Sequence, residues 1–203
     1  ATDTAKQEIT DSLKSDDRIK HMTQALQQQV TIKKDDTEKE VYLTVFEPGE
    51  ENDALFVYQD RVTKEKYKLT DDGVILTEKI ADKLGVKPGD SFTIEKSGEE
   101  DVTVTVSAVC ENYMRHYMYM TAGLYKQLYG KDVSYNSIFY TVKDGQIEAA
   151  EEIGEEALKK DGALSVSYTK DFESQIEDML GSLNMVIVVL VISAGLLAFV
   201  VLY

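Results

Sequence analysis

Histidine, cysteine and positive charge are scarce in this sequence, and each scarcity removes a class of function. The 203 residues hold 2 histidines, 1 cysteine and 22 lysines and arginines against 37 acidic residues, for a net charge of −15. So acidic a surface argues against nucleic acid or anionic lipid as a general partner. With the lone Cys110 there is no internal disulfide, which in an exported domain suits an organism that does not staple its exported proteins. His21 and His116 supply no HExxH, and no Ser/His/Asp or Cys/His constellation has supporting context. The glycines form neither GxxxxGK nor GxGxxG, so there is no phosphate loop. Carboxylates are plentiful enough to be paired on paper as glycosidase residues, but a solvated acidic surface explains them without chemistry. The expectation is a chain that is not an enzyme and holds no cofactor or metal.

Charge is missing altogether from Met185 to Tyr203 (MVIVVLVISAGLLAFVVLY). About nineteen residues at 1.5 Å of rise just cover a hydrocarbon core of roughly 30 Å, which makes this a transmembrane-helix candidate. A soluble domain rarely surrounds a helix that is apolar on every side. Upstream, Phe172, Ile176, Met179, Leu180 and Leu183 recur at helical spacing, with Asp171, Glu173, Glu177 and Asp178 on the other face. One continuous helix from about Asp171 would be roughly 50 Å long, an amphipathic stalk running into a membrane span. Between Asp161 and Asn184 the only basic residue is Lys170, so this flank is expected outside the cytoplasm. A chain that starts at Ala1 and stops inside the apolar run reads as a piece of a longer membrane protein.

Between the ends, roughly 155 residues suffice for one domain of up to two lobes. Ala5, Ile9 and Leu13 share a helical face and suggest a second stalk, their stripe facing that of Phe172, Ile176, Met179 and Leu183. Residues 19–34 read as a long exposed strand, and Val41, Leu43 and Val45 alternate in another that Pro48-Gly49 ends. Leu55 to Tyr58 reads as a short strand. Val74 to Leu76 is a buried strand with Thr77 as N-cap of a two-turn helix on Ile80, Ala81 and Leu84, closed by Gly85. Phe92 to Ile94 and Val102 to Val106 are strands, and the parity of the second puts Ala108 and Cys110 on its apolar face. Cys110 is therefore a core residue. Thr121 to Tyr129 is a short helix ended by Gly130, and Ile138 to Val142 a strand. Gln146 to Lys160 is an acidic helix using Ile147, Ala150, Ala157 and Leu158. Leu164, Val166 and Tyr168 alternate as a final strand.

The most unusual composition is YMRHYMYM, Tyr113 to Met120. Met114, His116, Met118 and Met120 share one parity, and Tyr113, Tyr117 and Tyr119 the other. Copper(I) held by Met and His is chemically open, but a single histidine without acidic or Cys company makes a poor site. A strand between two packed layers has the same pattern and is favoured. An adaptable contact surface for a peptide or lipid, using Tyr113, Tyr117, Tyr119 and Met118, ranks between them.

Two stretches carry a resemblance. VILTEKIADKLGVKPGDSFTI (Val74 to Ile94) resembles a segment of the extracytoplasmic domains of FtsX-like ABC transporter permeases, the group that includes MacB-like proteins. FESQIEDMLGSLNMVIVVLVISAGLLAFVVLY (Phe172 to Tyr203) resembles the stalk and first helix of that family's C-terminal permease module, in the long Gram-positive type. The resemblance implies an α+β fold: a mixed α/β porter-like lobe with a β-rich lobe inserted, carried on helical stalks. Residues 1–14 would be the first stalk, 15–170 the extracytoplasmic domain, and 171–203 the second stalk and membrane helix. It further implies a cytoplasmic ABC ATPase as partner. ATP-driven motion would pass to the outside to act on lipids, lipoproteins, peptides or cell-wall partners. The stalk residues Phe172, Ile176, Met179, Leu183, Ile9 and Leu13 would couple the two. A passive membrane-anchored receptor or adhesion module is the alternative, and a tail-anchored hydrolase ranks third.

Overall fold

The computed structural model describes residues 3–112 and 115–202, and the side chains of all of these except 3, 170–179 and 201. Its first strand organises the rest. β1 (Ile19–Lys34) turns at Asp35, whose φ of 50° is left-handed, into β2 (Thr37–Phe46). After β5 (Val74–Thr77) come β6 (Ser91–Glu95), β7 (Val102–Cys110) and β8 (Tyr117–Thr121). In the sheet, β2 pairs with β8, β8 with β5, β5 with β7, β7 with β6, and β6 with β1. Because β1 also pairs with β2, these six strands close on themselves. The closure is visible at Ile32, which is opposite Lys39 on one side and Ile94 on the other. Lys33 ties the same seam, with Nζ 2.7 Å from Glu95 Oε1 and 3.3 Å from Glu38 Oε2.

Closure explains the alternation. Val30, Ile32, Val41, Leu43, Val45, Val74, Leu76, Phe92, Ile94, Val104, Val106, Met118 and Met120 are all buried in one cluster, the inward side of each strand. Residues 19–34 are thus not an exposed strand. Their Gln- and Thr-rich surface alternates with buried Ala25, Val30 and Ile32, and the strand pairs on both edges. α3 (Glu78–Leu84) follows β5 and α4 (Ala122–Tyr129) follows β8. Since β5 and β8 are antiparallel, the two helices cover opposite ends of the barrel, and Ile80, Ala81, Leu84, Leu124 and Tyr125 join its core. Both helices end at a left-handed glycine, Gly85 and Gly130, as expected from the sequence. Thr121 caps α4 by accepting from the Leu124 amide at 3.0 Å. Thr77 precedes α3 in extended conformation but makes no cap bond; its hydroxyl accepts from the Tyr117 amide at 3.2 Å instead.

The first half of β1 leaves the barrel and pairs with β9 (Ser137–Val142). This extension carries α1 (Asp3–Lys14) and α5 (Ile147–Leu158), and together they bury a separate cluster. α5 does not use the face expected for it. Ile153 is 2 % exposed, while Ile147 is 68 % and Leu158 44 % exposed. Two expected strands are absent. Residues 55–58 contain the end of α2 (Glu51–Leu55) and the start of a two-stranded ribbon, β3 (Tyr58–Gln59) with β4 (Lys66–Tyr67). Residues 163–168 form no regular element and pair with no strand among the described residues.

α6 (Thr169–Leu202) is one uninterrupted helix of 34 residues, about 50 Å at 1.5 Å per residue. Its stretch Leu180–Val200 has a mean hydropathy of 2.7 and is exposed throughout. By length and composition it can cross a membrane.

Candidate coupling lobe and contact face

α1 sits on the lobe through the stripe Ile9 and Leu13, which are 9 % and 7 % exposed. They pack in the cluster built by Ile153 with Ile19, Met22, Ile138, Tyr140 and Val142. The sequence suggested that these two side chains face the C-terminal stalk; they pack on the sheet, where β9 and the start of β1 present an apolar layer to them. Burying one such side chain is worth about 1.5–3 kcal/mol, so α1 is fastened to the domain. Phe172, Ile176 and Met179 belong to α6, but their side chains lie outside the described residues. Leu183 is on α6 and 52 % exposed.

Charge locks the turn between α1 and β1. Arg18 Nη2 is 2.7 Å from Asp16 Oδ2, and Nη1 is 3.0 Å from Glu152 Oε2 on α5. The hydrogen bond from Arg18 holds the Asp16 carboxyl below its usual range.

α6 reaches the lobe through residues 163–168, which run over α5 as a strap. Ala163 joins the apolar cluster, and the Tyr168 hydroxyl donates to the Glu151 carbonyl at 3.3 Å. The crossing point is Gly154. A Cβ there would stand 2.9 Å from Val166 Cγ1, 3.1 Å from Tyr168 Cζ, and closer still to the Tyr168 hydroxyl. No side chain larger than hydrogen fits without displacing the strap. The sequence carried a signal for this, since a glycine in mid-helix costs about 1 kcal/mol against alanine and implies a close approach. Both α1 and the strap into α6 are therefore attached to one lobe.

The Tyr/Met strand divides as its parity requires. Met118 and Met120 are fully buried inside the barrel, so Met118 fills the core and offers no contact surface. Tyr117 and Tyr119 point outward and are partly buried; Tyr113 and Met114 lie outside the described residues. Tyr117 lies opposite Tyr42 on β2, ring centroids 5.9 Å apart, and stacks with Tyr119 at 5.8 Å. Tyr119 continues to Tyr58 at 4.9 Å and to Phe46 at 6.3 Å, and Phe46 meets Phe56 at 4.7 Å. This aromatic row covers the outer face of β2 and β8. At one end Phe46 and Tyr58 are buried in a cluster with Ala25, Ile75, Ala108 and Cys110, against which Phe56, Tyr67, Leu69 and Phe139 pack. Burial raises the Tyr119 phenol and pushes the Cys110 thiol up to about 12, so neither ionises near neutral pH. At the other end, Arg115 stacks over Tyr42 with Cζ 5.3 Å from the ring centroid. Beside it His116 Nε2 is 3.3 Å from Lys83 Nζ. Burial, then Lys83 and Lys79, keep His116 below its ordinary pKa.

No protein-family profile matches the chain, and no curated protein does. Solved structures do. The extracellular domain of the noncanonic ABC-type transporter YknZ from Gram-positive bacteria superposes with a TM-score of 0.51 at 18% identity, over 75% of this chain and 80% of that one. The periplasmic region of MacB from Actinobacillus actinomycetemcomitans gives 0.52 at 13% identity, over 84% and 82%. The barrel, the lobe on the extended β1 and the mixed sheet that joins them are thus the fold of MacB-type extracytoplasmic domains.

Proposed function

We propose that this chain is the outward-facing part of an ABC transporter permease subunit and that it passes ATP-driven motion from the membrane to the outside. The observation that carries the reading is the mechanical path. A membrane-length span continues without a break into a helix that is strapped to α5, on the same lobe that holds α1. A displacement of the membrane helices then reaches the barrel through one packed lobe rather than through a flexible linker. The scarcity of Lys and Arg before the span puts residues 1 to about 180 outside the cell membrane.

A cytoplasmic ABC ATPase supplies the energy through other parts of the permease, and the outer domain acts on lipid, lipoprotein, peptide or cell-wall partners. In this reading the chain does no covalent chemistry itself. Ile176→Pro tests it. Within α6 this removes a backbone hydrogen bond and clashes with the preceding turn, at about 3 kcal/mol or more. The assembled transporter should be exported and should hydrolyse ATP, yet lose its outward function. Normal outward function at normal surface expression would remove the stalk as the transmitting element and leave the passive-anchor reading.

A further inference from the structure

We propose a binding site for a phosphoryl oxyanion at the α3 end of the barrel, formed by Lys79, Lys83, Arg115 and His116. The chain has 15 more acidic than basic residues, and cations such as Arg18 and Lys20 in the lobe and Lys33 at the barrel seam lie against carboxylates. Lys79, Lys83 and Arg115 do not. Among the described residues no carboxylate oxygen is recorded within 4.0 Å of any of them, while Lys83 Nζ is 3.3 Å from another basic group, His116 Nε2. Glu78, next to Lys79, is turned away to Arg61 at 2.9 Å, and Glu40 on β2 is engaged by Gln29 at 2.8 Å. Asp82 on α3 is exposed and makes no recorded ion pair.

The fold holds this arrangement in place. Lys79 and Lys83 are one turn apart on α3, whose other face is locked in the barrel by Ile80, Ala81 and Leu84. The chain reaches Arg115 in a left-handed conformation, φ 56°, that a non-glycine residue rarely adopts. From there the His116 carbonyl accepts from the Tyr42 amide at 2.8 Å, which fixes the start of β8 against β2. The Arg115 guanidinium lies over the Tyr42 ring, Cζ 5.3 Å from its centroid, and its side chain makes no recorded hydrogen bond among the described residues.

Lys83 beside the His116 ring, Lys79 one turn away and Arg115 next in sequence to His116 make a cationic group that matches a multiply charged oxyanion. Arg and Lys bind phosphoryl oxygens in complementary ways, as fork and as point charge. Tyr42 and Tyr117 flank the site with apolar ring surface, which suits a phosphate carried on an amphiphile. β1 runs from the lobe to the hairpin at this end, so the site lies at the opposite end of the barrel from α1 and α6. It is independent of the transmission reading, because binding is measured without the transporter's cycle.

The test uses the 203-residue chain in neutral detergent, titrated with inorganic phosphate and, separately, with monomeric short-chain phosphatidic acid. Binding is followed through the His116 imidazole resonances and by calorimetry. Phosphate should bind in the millimolar range, and reversing one cation, Lys83→Glu or Arg115→Glu, should weaken it by about tenfold each. Lys159→Glu, the same charge change just past the end of α5, should leave it unaltered. Tighter binding of phosphatidic acid assigns the phosphate to a lipid source, and equal or weaker binding assigns it to a free or non-lipid phosphate. No phosphate binding by the unaltered chain overturns the proposal. So does equal loss in Lys159→Glu, which would mean a diffuse charge effect. Circular dichroism on each variant checks that its fold is retained, as expected for exposed Lys83 and Arg115.

Discussion

Gly154 separates two opposing effects that can each be measured. In an exposed helix interior, Gly→Ala stabilises by about 1 kcal/mol. Here the new methyl would meet Val166 Cγ1 at 2.9 Å and the Tyr168 ring at 3.1 Å, distances at which something must move. Overpacking of this kind costs about 1–3 kcal/mol, and displacing Tyr168 also removes its hydrogen bond to Glu151, about 1 kcal/mol more. Gly154→Ala should therefore destabilise by about 1–3 kcal/mol. If the strap is the cause, removing both obstructing side chains with Val166→Ala and Tyr168→Ala together should reverse the sign. In that background Gly154→Ala should stabilise by up to about 1 kcal/mol, a coupling of about 2 kcal/mol or more. Denaturant unfolding of the four proteins, in detergent and followed by far-UV circular dichroism, closes the cycle. Gly154→Ala stabilising equally with and without the Val166 and Tyr168 side chains would refute the reasoning, since the strap would then not bear on α5.

The elements that read clearly in the sequence are those whose environment is uniform along their length. Val102 to Val106 alternates because one face lines the barrel and the other does not; beyond a register shift against β5, Ala108 and Cys110 are buried in the outer cluster instead. α6 reads clearly because no part of its apolar stretch has a second environment. Residues 19–34 were harder: the first half of β1 belongs to the lobe and the second to the barrel, so no single pattern describes it. Residues 163–168 alternate like a strand, yet they end as a strap because α5, rather than a strand edge, is what they meet. The face of α5 is not legible in the sequence because Ile147 and Leu158 carry more apolar surface than Gly154. What buries that face is a glycine's lack of a side chain, which hydropathy does not register. The cationic group at the α3 end joins Lys83 to His116, 33 positions further on, a contact set by the pairing of β5 with β8.

The barrel core and its α4 end give the remaining predictions. Met118→Leu keeps the volume of a fully buried side chain and should cost less than about 1.5 kcal/mol, whereas copper binding abolished by it would restore the metal reading. Lys96, at the β6–β7 turn, should matter most at the α4 end. Its Nζ is 2.6 Å from Glu99 Oε1 and 2.9 Å from the Tyr125 hydroxyl, and it lies over the Tyr125 and Tyr129 rings at 5.3 Å and 5.4 Å. Glu99 also meets Lys131 at 2.8 Å. Desolvation works against both charges, but for Glu99 the hydrogen bonds from Lys131 and Lys96 outweigh it, and its pKa is lowered. For Lys96, Glu99 and Tyr125 outweigh desolvation, and its pKa is raised. A lowered carboxyl contributes stability that is present above its unfolded value near 4.3 and is lost as pH falls through the folded value. A raised ammonium contributes stability that is present below about 10.4 and is lost as pH rises through the folded value. The pair should therefore be at full strength from about pH 5 to 10 and fade on both sides. Lys96→Met should cost about 2 kcal/mol at neutral pH, from charged hydrogen bonds and ring contacts together. Glu99→Gln should flatten the acid limb of the stability profile. An acid limb as steep in Glu99→Gln as in the unaltered chain would place the responsible carboxylate elsewhere.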